Sequence, residues 1–292
     1  MNKGYYTALG TPLDGMGNVI ESSLRKHVVD QVNAGASGLL AMGSMGIQPM
    51  IKDDQFVKVA KITAEAAEGK TPVFVGVMDN SIARVKARID SLSGLQIDGV
   101  VATTPYYYTL SQDEVLRFFT ALAEASSFPV YLYDLPGVTK TKIAASTAQK
   151  LMSVPNIAGI KSGDLPTIRT LARALPDTNP DFQLLFSGLD VFDAAYGYGI
   201  DKNLDGMFSC TVPLNERLYS SLAAGDKKGA AEALDGILLL RDTFVEVNVL
   251  AGFTYAMNVQ GYEGSFSADY SAALSEQQAR KVHECMEKLG LI

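Results

Sequence analysis

The 292-residue sequence predicts an α/β fold, a (β/α)8 TIM barrel with a C-terminal helical extension, and three observations carry that expectation. Short apolar runs alternate with longer segments of helical period, the runs number eight, and Gly or Pro punctuates the joins. Such alternation signals a parallel sheet, and closing eight strands on themselves is the economical solution. An open doubly wound sheet is the runner-up. It wants a Gly-rich phosphate turn after the first strand, which Gly10-Thr11-Pro12-Leu13-Asp14-Gly15 does not supply.

Strands rich in Val, Ile, Leu and aromatic residues are expected at 5–9, 38–42, 72–77, 99–103, 129–133, 157–161, 183–187 and 206–210. Helical periodicity falls between them at 22–33, 53–67, 82–92, 112–125, 145–152, 167–175 and 191–198. Ser111 and Glu114 have the spacing of a capping box at the start of one of these helices. Residues 1–215 are expected to form the barrel. Residues 216–292 form the helical extension, with patterning at 216–224, 228–243 and 275–289.

Composition excludes several functions. With 25 Lys+Arg against 32 Asp+Glu, 25 − 32 gives a net charge of −7, which argues against nucleic-acid and anionic-membrane partners. A hydrophobic content of 47% excludes disorder. Two cysteines and two histidines are too few for a disulfide framework or a Cys/His zinc site, so no metal is expected. The start, Met1-Asn2-Lys3-Gly4-Tyr5-Tyr6, has no apolar stretch of signal-peptide length, and a soluble cytoplasmic protein is expected. His27 lies in an amphipathic stretch and His283 in a polar helix, so acid and base work falls to Lys, Tyr, Asp, Glu or water.

In a barrel, chemistry gathers where strands end and βα loops begin. Lys161 closes the apolar run Ile157-Ala158-Gly159-Ile160. A strand buried on both faces makes an ammonium costly, and the neutral amine is the nucleophile that forms Schiff bases with carbonyl substrates. The alternative is a lysine that has left the barrel for solvent. Tyr133 ends the preceding strand, so barrel geometry makes it a lateral neighbour of Lys161, able to shuttle protons or simply packed at the rim. Gly43-Ser44-Met45-Gly46 sets successive N–H groups and a hydroxyl above the mouth, an arrangement suited to a carboxylate. The run Tyr106-Tyr107-Tyr108 either lines the mouth or makes a subunit contact.

Together these positions resemble the family of dihydrodipicolinate synthase and N-acetylneuraminate lyase, the pyruvate-dependent class I aldolases, over about residues 4–215. Gly43-Ser44-Met45-Gly46 matches the family's Gly-Ser/Thr-Thr-Gly loop, and Thr104-Pro105-Tyr106-Tyr107 its Thr-Pro-Tyr-Tyr. Tyr133-Asp134-Leu135-Pro136 matches Tyr-Asn-x-Pro, and Gly159-Ile160-Lys161 matches Gly-Ile/Leu-Lys. The resemblance implies that Lys161 is the Schiff-base lysine, Tyr133 the general acid/base and Ser44 part of a proton relay. It implies that Tyr107 reaches a neighbouring subunit's site in a homotetramer or homodimer. Gly43, Ser44 and Met45 then bind the substrate carboxylate, while Gly188 and Asp190 accept sugar hydroxyls and Cys210 stands where the lyases place a serine.

Departures from the family bear on the substrate. Val138 replaces the arginine with which the synthase holds a second carboxylate, which disfavours lysine biosynthesis. Val191 replaces the lyase glutamate in Gly188-Leu189-Asp190-Val191, Met45 a threonine and Ile47 a glutamate, and the stretch Lys161-Ser162-Gly163-Asp164 is shortened. The expected function is a Schiff-base aldolase or lyase joining or separating pyruvate and an aldehyde, with a 2-keto-3-deoxy sugar acid as favoured substrate. Its partners are a small 2-keto acid and an aldehyde, and it needs no cofactor beyond the covalent lysine imine. The alternatives are N-acetylneuraminate lyase or dihydrodipicolinate synthase, a 2-keto-3-deoxy sugar acid dehydratase working through the same imine, and a catalytically inactive ligand-binding barrel.

Overall fold

The computed structural model describes residues 1–292. Its strands are β1 (Gly4–Ala8), β2 (Gly38–Ala41), β3 (Val73–Gly76), β4 (Gly99–Thr103), β5 (Val130–Asp134), β6 (Ile157–Ser162), β7 (Gln183–Phe186) and β8 (Lys202–Asp205). All pair in parallel and in sequence order, and β1 pairs with both β2 and β8, so the sheet closes. Around it run α1 (Glu21–Asn33), α2 (Asp53–Ala67), α3 (Ile82–Ser91), α4 (Gln112–Ala125), α5 (Pro136–Thr139), α6 (Ala145–Met152), α7 (Leu165–Thr178), α8 (Phe192–Gly197) and α9 (Val212–Ala224). Three more helices follow, α10 (Lys227–Val247), α11 (Val249–Val259) and α12 (Glu276–Lys288). No helix is long and apolar enough to cross a membrane.

The two-residue period of each strand sorts its side chains into two cores. Tyr6, Ala8, Leu40, Phe74, Val101, Tyr131, Tyr133, Leu185 and Leu204 form one cluster inside the barrel. Their neighbours, among them Leu39, Val73, Val75, Val100, Ala102, Leu132 and Ile160, belong to the larger core between sheet and helices. Burial on both faces explains why the strands read as continuous apolar runs. The capping box is present: Ser111 N donates to Glu114 Oε2 at 2.7 Å, and Glu114 N donates to Ser111 Oγ at 3.3 Å.

One expectation is corrected. The eighth strand is Lys202–Asp205 rather than 206–210, and the apolar run after it turns through a 3-10 helix, Met207–Ser209, that seats Phe208 edge-on against Tyr5 at 5.5 Å. Apolar content alone does not separate a buried strand from a buried turn. Residues 215 and 216 both lie within α9, and α10 to α12 follow it. Finally, α11 was not anticipated; its sequence Val-Leu-Ala-Gly-Phe-Thr-Tyr-Ala-Met-Asn-Val lacks a clear polar face.

The extension returns to the barrel along α1. Leu13 bridges Ser265, Tyr262 OH donates to Asp30 Oδ2 at 2.8 Å, and the His27 ring lies 5.2 Å from Tyr262 and 6.5 Å from Phe266. His27 is fully buried and neither ring nitrogen has a hydrogen-bond partner. Burial pushes its imidazole down to about 4 from the ordinary 6.5. Below pH 6.5 the unfolded chain therefore takes up a proton that the folded chain refuses until about pH 4. Stability should be full above pH 6.5 and decline toward pH 4, with His27 contributing about 3 kcal/mol of the loss. Urea midpoints measured across that range test this: His27→Phe should flatten the decline relative to wild type, and an unchanged slope would contradict the assignment to His27.

Candidate active site

The register between β5 and β6 sets Tyr133 directly beside Lys161 and Asp134 beside Ser162. Alternation then sends the two pairs to opposite faces of the sheet. Tyr133 and Lys161 turn into the barrel, 2% and 5% exposed, and Lys161 Nζ donates to Tyr133 OH at 2.8 Å. The ammonium also lies 4.0 Å from the centre of the Tyr133 ring. Tyr133 OH meets Ser44 Oγ at 3.0 Å. Because Nζ is the donor in the first contact, the phenol proton is free to point at Ser44, and the three groups form one hydrogen-bonded chain along which a proton can pass.

On the outer face the second pair buttresses the first. Buried Asp134 accepts from Ser162 Oγ at 2.9 Å and from Ile143 N at 2.9 Å, and it pairs with Lys142. Lys142 also reaches Asp164 at 3.2 Å. These bonds fasten the ends of β5 and β6 to the loops beyond them, so Tyr133 and Lys161 rest on rigid elements.

The turn after β2 brings Ser44 in. Gly46 is required there, because a Cβ would lie 2.8 Å from Leu9 O and from Met42 N and Cα. Thr11 Oγ1 donates to Gly46 O at 2.8 Å and holds the turn to the β1 loop. Ile47 follows at φ 48°, a left-handed conformation that is strained for a β-branched residue. Met45 crosses toward β8, where its side chain occupies the space a Cβ on Gly206 would need.

The other anticipated residues make no hydrogen bond to this trio. Gly188 packs against the Phe186 ring and Gly163 O. Asp190 sits in the 3-10 turn Leu189–Val191 and is gripped by Arg241 of α10, with Nη1 at 2.6 Å from Oδ2 and Nη2 at 2.8 Å from Oδ1; the guanidinium keeps its carboxyl below the usual value. Tyr107 is 69% exposed, edge-on to Tyr108 at 4.9 Å, on a loop fixed by Asn80 Oδ1, which accepts from the amides of Tyr106 and Tyr107 at 2.9 Å each. The structure does not bring Cys210 to Lys161. β8 ends five residues earlier, and the Cys210 side chain is buried in the outer core with Sγ 3.5 Å from Met207 O.

Some groups in and around the site were not anticipated. Asp205, at the end of β8, accepts from Met207 N at 2.9 Å; burial raises its carboxyl, with Lys161 the strongest opposing charge. Arg241 had no local signal, because its partner lies 51 residues away. Asp134, Ser162 and Lys142 could have been found by extending the two strands one residue and following the outward face.

A family model described as the dihydrodipicolinate synthetase family matches residues 1–289. The chain belongs to that family. A protein of Acidiphilium cryptum named 4-hydroxy-tetrahydrodipicolinate synthase is 29% identical over the full length of both chains. One of the same name from Pseudoalteromonas atlantica is 33% identical over 206 residues, 68% of this chain and 69% of that one. Among solved structures, the dihydrodipicolinate synthase of Thermotoga maritima superposes over the whole of both chains with a TM-score of 0.91 at 22% identity. A prophage protein of the same family from Escherichia coli K12, solved in complex with pyruvate, gives 0.90 at 19% identity, again over both whole chains. These last two likenesses speak to fold. As a family member the chain is a carbon–carbon lyase of the class I, Schiff-base type.

The proton path makes a prediction. Tyr133→Phe should fold normally yet slow the exchange of pyruvate methyl protons with deuterated solvent by about 100-fold or more, the range expected for losing a general acid/base. Ser44→Ala, one atom further out, should slow it less. Proton NMR in heavy water reads both, and a Tyr133→Phe variant exchanging at the wild-type rate would remove Tyr133 from the path.

Proposed function

We propose that this protein cleaves, or in reverse forms, the bond between pyruvate and a neutral polyhydroxy aldehyde, acting on a 2-keto-3-deoxy sugar acid. The observation that carries this reading is the Lys161 Nζ to Tyr133 OH to Ser44 Oγ path, 2.8 and 3.0 Å, inside a buried barrel mouth. Lys161 attacks the ketone carbon of the keto acid, and the oxygen gathers two protons through Tyr133 and leaves as water. The resulting protonated imine is an electron sink. Loss of the C4 hydroxyl proton then breaks C3–C4, releasing the aldehyde and leaving an enamine. Protonation at C3 and hydrolysis return pyruvate and the free lysine. Amides of the 43–46 turn take the substrate carboxylate.

The ion pairs of the loops beyond the strands support a neutral tail. Lys142 faces Asp134 and Asp164, and Arg241 faces Asp190 and Asp242, so each of these cations already meets two carboxylates. Val138 offers no charge at all. A second carboxylate finds no unpaired cation among these groups, whereas the hydroxyl groups of a neutral tail need none. A dehydratase using the same imine is the nearest rival in chemistry. Synthase activity is favoured by the names of the relatives, but the same ion pairs offer no unpaired cation to the dicarboxylic adduct it requires. The exposed Tyr107–Tyr108 pair belongs on this reading to a contact between subunits.

Incubation with 2-keto-3-deoxy sugar acids should release pyruvate, detected by coupled reduction or mass spectrometry. A keto acid of unchanged carbon number would replace the lyase with the dehydratase. Efficient condensation of pyruvate with aspartate semialdehyde, with no turnover of keto-deoxy acids, would return the chain to the synthases.

A further inference from the structure

The interior of a barrel seldom spends a polar group without a use, and one such group near Lys161 is unaccounted for. Thr103 ends β4, in register beside Tyr133. It shares its face with Val101, which belongs to the interior cluster, whereas Val100 and Ala102 lie in the outer core. Thr103, Tyr133 and Lys161 therefore stand side by side on three adjacent strands, all directed inward. Thr103 is 4% exposed and its hydroxyl has no hydrogen-bond partner. Neighbouring hydroxyls are paired: Thr104 Oγ1 donates to Thr141 O at 3.3 Å, and Ser162 Oγ to Asp134 at 2.9 Å. Valine has the shape of threonine and would fill the position without the desolvation that an unpaired hydroxyl costs.

The strand between this position and the 43–46 turn points to the ligand. Gly76, at the inward position of β3 after Phe74, has no side chain, and a Cβ there would collide with the Met42 carbonyl oxygen. Met42 itself has φ 54°, which turns the chain at the end of β2. Glycine at 76 thus lets the β2 end lean across β3 and sets no side chain of its own between the turn and Thr103, the Met78 sulfur being the side-chain atom beside it. We infer that Thr103 Oγ1 donates a hydrogen bond to the carboxylate of the 2-keto acid that Lys161 attacks, completing from β4 the site that the 43–46 amides begin from β2. One χ1 step exchanges its hydroxyl and methyl, so meeting an incoming oxygen needs no backbone change. This inference rests on the Schiff-base reading above.

The test follows the exchange of pyruvate methyl protons in heavy water as a function of pyruvate concentration. Thr103→Val should raise the half-saturating pyruvate by about tenfold or more, the order expected for one charge-assisted hydrogen bond, with the maximal rate within about twofold of wild type. Thr103→Ser should restore the wild-type value. With hydroxyacetone, a ketone that lacks the carboxylate, wild type and Thr103→Val should behave alike. A Thr103→Val protein that melts higher but shows unchanged half-saturation would overturn the proposal and leave Thr103 a structural residue. Wild-type protein that exchanges no pyruvate protons would overturn the Schiff-base reading itself, an outcome distinct from an active wild type with an indifferent variant.

Discussion

Everything at this site depends on one register, the pairing of Tyr133 with Lys161 on adjacent parallel strands of a closed sheet. A shift of one residue in either strand would turn that side chain outward and put Asp134 or Ser162 into the barrel. Closure makes the register rigid, because each strand is fixed on both sides and no edge remains to slip. The lysine is thereby held in a place that would be costly for an isolated ammonium, with a phenol oxygen and an aromatic face as its immediate company.

The outward face carries the cost of this arrangement. Asp134 is buried, but every contact it makes is with a donor: Ser162, Ile143 N and Lys142. Removing any one of them leaves a buried carboxylate short of a partner, and the disturbance falls on the residue next to Tyr133. The glycines at 46 and 76 serve the same end from the other side of the mouth, since both allow backbone to come closer than a side chain permits. Strain at Ile47 and the left-handed φ of Met42 bracket the turn that delivers Ser44. Preorganised groups of this kind do their work before the substrate arrives.

Much of this was legible from the amino acids. Strands buried on both faces write themselves as apolar runs, and the rule that barrel chemistry lies at strand ends converts those runs into Lys161, Tyr133 and Ser44. The eighth strand was misplaced because Lys-Asn-Leu-Asp looks polar, while the true turn that follows, with Met207 and Phe208, is the more apolar stretch; Cys210, which the resemblance set among the substrate-binding residues, lies five residues beyond the true strand end. Asp190 was found, but its engagement by Arg241 was not, since an ion pair across 51 residues leaves no local pattern. Thr103 was within reach: alternation along Val100-Val101-Ala102-Thr103 puts it on the inner face once the neighbouring tyrosine is placed there.

The central claim is that Lys161 is the amine that captures the keto acid. Borohydride reduction in the presence of pyruvate, followed by peptide mass spectrometry, measures it most directly. The account predicts a reduced pyruvate adduct on the peptide containing Lys161 and no adduct in Lys161→Arg. An unmodified Lys161 in the wild-type chain, or an adduct that survives the Lys161→Arg substitution, would contradict it.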